Sequence, residues 1–304
     1  MTALPAAPFG RLLTAMVTPF TVDGSLDLAA VERLIDHLAG QGHDGVVVSG
    51  TTGEASTTSD AEKYELLRAV VDAAGDRLSV VAGAGTNDTA HGRELARLAA
   101  KAGAHGVLAT TPYYSKPTQE GVIAHIEAIA AAADLPVMLY DVPTRTSLAL
   151  ATDTIVALAQ HPQIVALKDA KADLAATADV RRLAPQLAIY SGTDEVNLPL
   201  LALGAVGVVS VLGHLAGGRI AAMIEAFDNG DVREAWEIHN GLMPAARGLF
   251  RFASPAPTKA ALADLGLCTP HVRLPLLPAT TQQHAALRAD LAAGGIGAAV
   301  GGAT

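Results

Sequence analysis

Leu12-Leu13-Thr14-Ala15-Met16-Val17-Thr18-Pro19-Phe20 is the stretch whose reading decides the fold. Leu12–Val17 is an apolar run that reads as a strand, and the turn Val17-Thr18-Pro19-Phe20 that follows contains no glycine. A doubly wound sheet would usually place a Gly-rich phosphate turn after its first strand. Further strand-like runs come at Gly45–Ser49, Ser79–Ala82, Gly106–Thr110, Pro136–Tyr140, Ile164–Lys168, Ala188–Ser191 and Gly207–Val211. Most are continuous Val, Leu, Ile and Ala rather than apolar/polar alternation, the pattern of parallel strands covered on both faces.

Helical spacing fills the gaps. Leu28, Val31, Leu34, Ile35 and Leu38 line one face of a helix that Gly40 is expected to stop with a positive φ. Ser59 and Glu62 form a capping-box pattern, followed by the stripe Tyr64, Leu67, Val70, Val71 and Ala74 and a stop at Gly75. Helices are also predicted at Asp88–Ala102, Thr118–Ala133, Asp153–Gln160, Leu174–Leu183, Asp194–Leu203 and Gly218–Phe227. About eight strand–helix units imply right-handed crossovers and a (β/α)8 TIM barrel of roughly 250 residues. The reading assigns residues 1–228 to an α/β barrel and 229–304 to a C-terminal helical extension. That extension has helices at Asp231–Arg247, Thr258–Leu265 and Thr281–Ala293, and a Gly/Ala-rich tail from Gly294 to Thr304 expected to fray.

The chain of 304 residues is half apolar and only 17% charged, which excludes a disordered protein. A net charge of -9 excludes a general binder of nucleic acid or anionic membrane. A single cysteine, Cys268, excludes an internal disulfide and fits a reducing compartment. Val196–Gly218 carries no Asp, Glu, Lys or Arg, but Pro199, Gly204, Gly207, Gly213 and Gly217 punctuate it. A short helix, a turn and a buried strand explain it better than a membrane span. With no basic segment leading into an apolar stretch at the start, the expectation is a soluble, cytoplasmic protein.

In a barrel the chemistry gathers at the carboxyl ends of the strands. Those positions hold Gly50-Thr51-Thr52-Gly53-Glu54, Thr111-Pro112-Tyr113-Tyr114, Tyr140-Asp141-Val142-Pro143-Thr144-Arg145, Lys168-Asp169 and Ser191-Gly192-Thr193-Asp194. Of six lysines, five fall on predicted helices or loops and are expected to be solvated; Lys168 alone ends a buried run. An ordinary lysine, with a pKa near 10.4, is neutral roughly once in a few thousand molecules at pH 7. Desolvation disfavours the ammonium and makes the amine a nucleophile toward carbonyls. The competing reading is a salt bridge from Lys168 to Asp169 or Asp141. The Gly50–Glu54 loop reads either as an ordinary turn or as a nest of N–H groups and hydroxyls for a carboxylate. Arg145 is either a structural loop cation or a planar fork for a substrate carboxylate.

Taken together and in order, these segments closely resemble the dihydrodipicolinate synthase family of pyruvate-dependent Schiff-base aldolases, from about Leu12 to the C-terminal helices. The resemblance implies condensation of pyruvate with L-aspartate 4-semialdehyde to 4-hydroxy-tetrahydrodipicolinate, the entry step to diaminopimelate and lysine biosynthesis. It implies that Lys168 forms the imine and that Tyr140 exchanges protons there. Thr51 and Tyr114 match a hydroxyl relay, with Tyr114 entering from a neighbouring subunit of a homotetramer built as a dimer of dimers. Thr52 is matched to the pyruvate carboxylate, Arg145 to the carboxylate of the second substrate, and Gly192 and Val209 to the pocket lining. No cofactor or metal is implied, because the imine does the polarising; the ten histidines include no HExxH.

One departure concerns feedback. Asn87 and Tyr113 match an inhibitory lysine pocket, but Lys63 stands where a histidine is usual and His91 where an acid grips the inhibitor's amine. Weak or absent lysine inhibition is expected, because a cation would face a cation. Three other readings compete. A sister lyase for sialic or 2-keto-3-deoxy sugar acids would share the lysine and tyrosine, and a metal-dependent barrel would use Glu54, Asp141, Asp169 and Asp194. A catalytically dead scaffold would have no reason to keep Lys168, Tyr140, Thr51 and Tyr114 together.

Overall fold

Each apolar run becomes a strand because its side chains find cover on both faces. In the computed structural model, which describes residues 4–297, the strands are β1 (Leu12–Ala15), β2 (Gly45–Val48), β3 (Ser79–Gly83), β4 (Gly106–Thr110), β5 (Val137–Asp141), β6 (Ile164–Asp169), β7 (Ala188–Ser191) and β8 (Gly207–Ser210). They pair in parallel in sequence order, and β1 closes on β8 with Leu13 opposite Val209. The barrel is thus the α/β fold expected. Its amino end is stoppered by Phe9, whose ring leaves no room for a side chain at Gly106, and by Tyr190, whose hydroxyl donates to the Gly10 carbonyl at 2.9 Å.

The helices around the barrel are α1 (Leu28–Gly40), α2 (Asp60–Ala74), α3 (Thr89–Ala102), α4 (Gln119–Ala133), α5 (Pro143–Thr146), α6 (Thr152–Leu158), α7 (Leu174–Leu183), α8 (Asn197–Ala202) and α9 (Gly213–Asp228). The Ser59–Glu62 capping box forms in both directions, and Gly75 ends α2 at φ 53°. The stop of α1 differs from expectation. Gly40 stays helical, Gln41 caps, and the positive φ falls at Gly42. Helix α9 begins at Gly213 rather than Gly218 and kinks at Ala216. Its glycines serve close packing, since a Cβ at Gly217 would stand 2.4 Å from His43 Cε1. The segment 196–218 resolves into α8, β8 and the start of α9, and no described helix is long and apolar enough to cross a membrane.

After α9, the chain adds α10 (Val232–Gly248), α11 (Ala256–Asp264) and α12 (Thr281–Ala293). Helix α10 packs on both α9 and α12, and α11 touches both α9 and α12. The expected frayed tail is tied down at its start: Arg219 donates to the Gly294 carbonyl and the Ile296 N–H to Leu291 O at 2.8 Å. From Ala298 onward it lies outside the described residues.

Two buried imidazoles bind the seam where the barrel closes. His214 Nε2 accepts the Val17 N–H at 3.1 Å and its Nδ1–H donates to Val211 O at 2.8 Å. His43 bridges the Thr14 hydroxyl at 2.7 Å and Leu38 O at 2.9 Å. Burial pulls both from 6.5 down to about 4. Between those values the unfolded chain holds the extra protons, so this stability is present above pH 6.5 and drains away as pH falls towards 4. Asp141 works in the opposite sense, because burial raises it from 3.8 to about 6, and it offsets about one imidazole. The sum predicts a melting midpoint lower at pH 5 than at pH 7 by on the order of 5 °C. Scanning calorimetry across that range checks it; a flat or rising midpoint on acidification contradicts it.

Candidate active site

Side chains alternate across a strand, so neighbours on β5 and β6 face opposite ways. A register shift between Val137 and Met138 sets Tyr140 opposite Lys168 and Asp141 opposite Asp169. Lys168 and Tyr140 share one face, with the lysine Nζ 4.3 Å from the tyrosine ring centre and both residues buried. The two aspartates are engaged elsewhere. Asp141 accepts from the Leu150 N–H at 3.1 Å and lies 3.7 Å from Lys171 Nζ. Asp169 accepts from the Thr177 hydroxyl at 2.5 Å and from the Lys171 and Ala172 N–H groups. Among the described residues no carboxylate forms an ion pair with Lys168, so the salt-bridge reading of this lysine is not realised.

Gly192 closes over the lysine's stem. Its N–H donates to Asp169 O at 2.7 Å, and a Cβ there would stand 2.9 Å from Lys168 Cγ and 3.1 Å from Ala170 Cβ. Glycine is therefore required by the path of the lysine. Val209 is fully buried in β8.

The threonine loop is a tight turn bracketed by two left-handed residues, Ser49 at φ 55° and Glu54 at φ 54°. Such non-glycine conformations cost on the order of 1–3 kcal/mol each and persist only where their surroundings impose them. The Glu54 N–H donates to Thr51 O at 3.2 Å, the Gly53 and Ala55 N–H groups to Gly50 O, and the Thr18 hydroxyl to Gly53 O at 2.6 Å. The anion nest expected from this loop is accordingly narrower than its length suggests. Its later N–H groups are used inside the turn, whereas those of Thr51 and Thr52 make no backbone bond among the described residues. Thr52 is buried and Thr51 exposed.

A cavity of about 400 Å³ opens beside this loop, lined by Thr51, Tyr113, Arg145, Lys63, Asp60 and His91 among others. Its wall includes Thr110, the register partner of Tyr140. Arg145 is presented by α5, a single turn started by Pro143 in a stretch that reads as loop in the sequence. Two groups of expected site residues thus form: Lys168 with Tyr140 and Gly192, and Thr51 with Arg145 at the cavity. Thr52, Val209, Lys168, Tyr140 and Gly192 are not in the cavity wall. Tyr114 joins neither group within this chain; it is 90% exposed, at φ 70°.

One buried pair departs from the sequence expectation. Lys259, expected to be solvated, is fully buried on α11 and donates to Glu54 Oε1 at 2.5 Å and His271 O at 2.8 Å. Helix α11 is buried on every side from Ala256 to Leu262, so it offers no solvated face for a lysine. The Ala/Pro/Leu-rich flanks of Lys259 were the available signal. Removing one member of such a pair costs roughly 3–5 kcal/mol. The Arg273 N–H also donates to Glu54, at 2.9 Å, while the Arg273 side chain pairs with Glu62, whose carboxyl this guanidinium holds down at about 2.

Glu54 is therefore committed, and so is Asp194, which accepts from the Ser210 hydroxyl, Asn197 and the Val211 and Leu212 N–H groups. With Asp141 and Asp169 also engaged, the four carboxylates of the metal-site reading do not converge. Among the described residues no three His, Cys, Asp or Glu side chains are grouped to hold a metal.

A closed (β/α)8 barrel whose buried lysine at the carboxyl end of β6 pairs with no carboxylate among the described residues fits the class of Schiff-base lyases. The sequence model of the Dihydrodipicolinate synthetase family matches residues 8–294, and the chain belongs to that family. It is 55% identical over 296 residues to 4-hydroxy-tetrahydrodipicolinate synthase 2 of Streptomyces coelicolor, covering 97% of this chain and 98% of that protein. It is also 55% identical to the synthase of Acidothermus cellulolyticus, covering 97% and 95%. Among solved structures, a synthase from Cyanidioschyzon merolae with lysine bound superposes with a TM-score of 0.93 at 45% identity, covering 96% of this chain and all of that one. A monomeric dihydrodipicolinate synthase variant superposes with a TM-score of 0.92 at 34% identity, covering 95% and 98%.

Because the Lys168 stem runs against Gly192, Gly192→Ala should slow formation of a borohydride-trapped pyruvate adduct by on the order of tenfold or more. The added methyl should lower stability by only about 1–3 kcal/mol. Trapping kinetics on the folded variant check this; an unchanged rate contradicts the packing role.

Proposed function

We propose that the protein condenses pyruvate with L-aspartate 4-semialdehyde to give 4-hydroxy-tetrahydrodipicolinate, acting in the cytoplasm. The observation that carries the reading is the Lys168–Tyr140 pair, a buried amine 4.3 Å from a tyrosine ring with neither neighbouring aspartate turned towards it. The Lys168 amine attacks the pyruvate ketone and water leaves, forming an imine. The imine withdraws electrons from the adjacent methyl, a proton departs, and an enamine results. Tyr140, whose ring the amine faces, exchanges protons at the imine. A tyrosine near its ordinary pKa of about 10 is a weak base alone, which is why a chain through Thr51 and Tyr114 suits the task.

The enamine carbon bonds to the semialdehyde carbonyl carbon, and the substrate's amine then displaces the Lys168 nitrogen and closes the ring. Thr52 and the free N–H groups of its loop hold the pyruvate carboxylate. Arg145, exposed on α5 in the cavity wall, orients the carboxylate of the semialdehyde. Gly192 gives the lysine its path, and Val209 backs the site from β8. The exposure of Tyr114 supports donation to a neighbouring copy in the proposed dimer of dimers.

A sugar-acid lyase would share the lysine and tyrosine but would have no use for Arg145 at this position. A coupled assay should therefore show turnover with pyruvate and aspartate semialdehyde and none with sugar aldehydes. Arg145→Ala should lower turnover by on the order of a hundredfold while leaving pyruvate imine formation within about twofold. Preference for a sugar aldehyde, or equal loss of both steps in the variant, contradicts the assignment.

Lysine feedback should be weak or absent. Lys63 and His91 both line the cavity, and Asp60 already serves both, at 3.7 and 2.9 Å. Steady-state rates should be unaffected by submillimolar lysine; clear inhibition there rejects the expectation.

A further inference from the structure

The C-terminal extension reaches back to the threonine loop. The Glu54 carboxylate takes one oxygen to Lys259 Nζ on α11 and the other to the Arg273 N–H, both beyond the barrel in sequence. Lys259 Nζ and the Arg273 guanidinium lie 4.2 and 4.3 Å from the ring centre of Phe20, in the loop after β1, and the Thr269 hydroxyl donates to Phe20 O at 2.6 Å. The Arg273 guanidinium also donates to Gly24 O and Thr57 O. One C-terminal strap, residues 269–273, thereby fastens the loops after β1 and β2 together.

The strap meets the loop at its strained residue. Glu54 is left-handed, and its own N–H donates to Thr51 O, so a displacement of its side chain is transmitted through one peptide turn to Thr51 and Thr52. Gly53 leaves little slack, because a Cβ there would stand 3.1 Å from Met16 O and Ser49 N. The buried ion pair fixes the Glu54 side chain, while the Thr57 N–H and hydroxyl both donate to its carbonyl.

We infer that Glu54 is a positioning residue held by Lys259, and that this pair sets where Thr51 and Thr52 meet the keto-acid carboxylate. The inference rests on the proposed role of those threonines, and it assigns to the C-terminal helices a part in substrate binding. Glu54 itself touches no substrate. Without its anchor, the loop binds pyruvate loosely even when the barrel is intact.

The test compares Glu54→Gln, Lys259→Met and the double variant, using the full chain. Each single change strands a buried charge and lowers the melting midpoint; the double change removes both charges and recovers most of it. If the pair only stabilised the fold, recovery of the midpoint would bring back activity. The inference expects instead that the double variant keeps a raised pyruvate KM, by about tenfold, with kcat per borohydride-titrated site lowered by a similar factor. Loss of folded molecules alone would lower total rate and leave KM unchanged.

Should the double variant fail to fold, Glu54→Asp keeps the charge and shortens the reach, and its KM is read on whatever fraction folds. A wild-type pyruvate KM in the folded double variant, or in Glu54→Asp, overturns the inference. Failure of the unaltered protein to trap pyruvate on Lys168 would instead overturn the catalytic reading, so the two failures are distinguishable.

Discussion

A period of two along β5 and β6 separates the charges of this barrel. Tyr140 and Lys168 fall on one face, Asp141 and Asp169 on the other, and the register shift near Met138 aligns the two pairs. Had the strands kept the register of Val137 with Ile164, Tyr140 would stand opposite Leu167. Asp141 would then stand directly opposite Lys168. The result of the shift is an amine with no counter-ion among the described residues, at the end of a strand whose neighbouring carboxylates are satisfied by Leu150, Thr177 and the Lys171 segment. An amine in that position is chemically available to a ketone, whereas a paired ammonium is not.

Other groups at the carboxyl face are fixed by their own local packing. Gly192 yields space to the lysine's stem, and α5 carries Arg145 to the cavity. Glu54 pins the threonine loop. The last of these depends on residues far along the chain, since Lys259 and Arg273 come from beyond the barrel. Barrel and extension are therefore joined by ion pairs and hydrogen bonds at the functional face, as well as by helix packing around α9 and α10.

The strands were legible because burial on both faces writes itself as unbroken Val, Leu and Ala, and the Ser59–Glu62 box because capping needs specific side chains three apart. Lys168, Tyr140 and Arg145 stood out by their place at strand ends. The misses have a common cause in long-range contacts. The early start of α9 at Gly213 and the burial of Lys259 are each decided by what packs there from elsewhere. Gly217 is small because His43 lies against it, and Lys259 is buried because Glu54, 205 positions away, meets it. Local spacing carries none of that information. The register shift that aligns Tyr140 with Lys168 is likewise invisible in either strand alone.

The central claim is that Lys168 is the nucleophile. The direct measurement is borohydride reduction in the presence of pyruvate, followed by digestion and mass mapping of the modified peptide. The account predicts a single reduced pyruvyl adduct on Lys168, absent without pyruvate. An adduct on Lys171 or Lys259, or none at all, would contradict it.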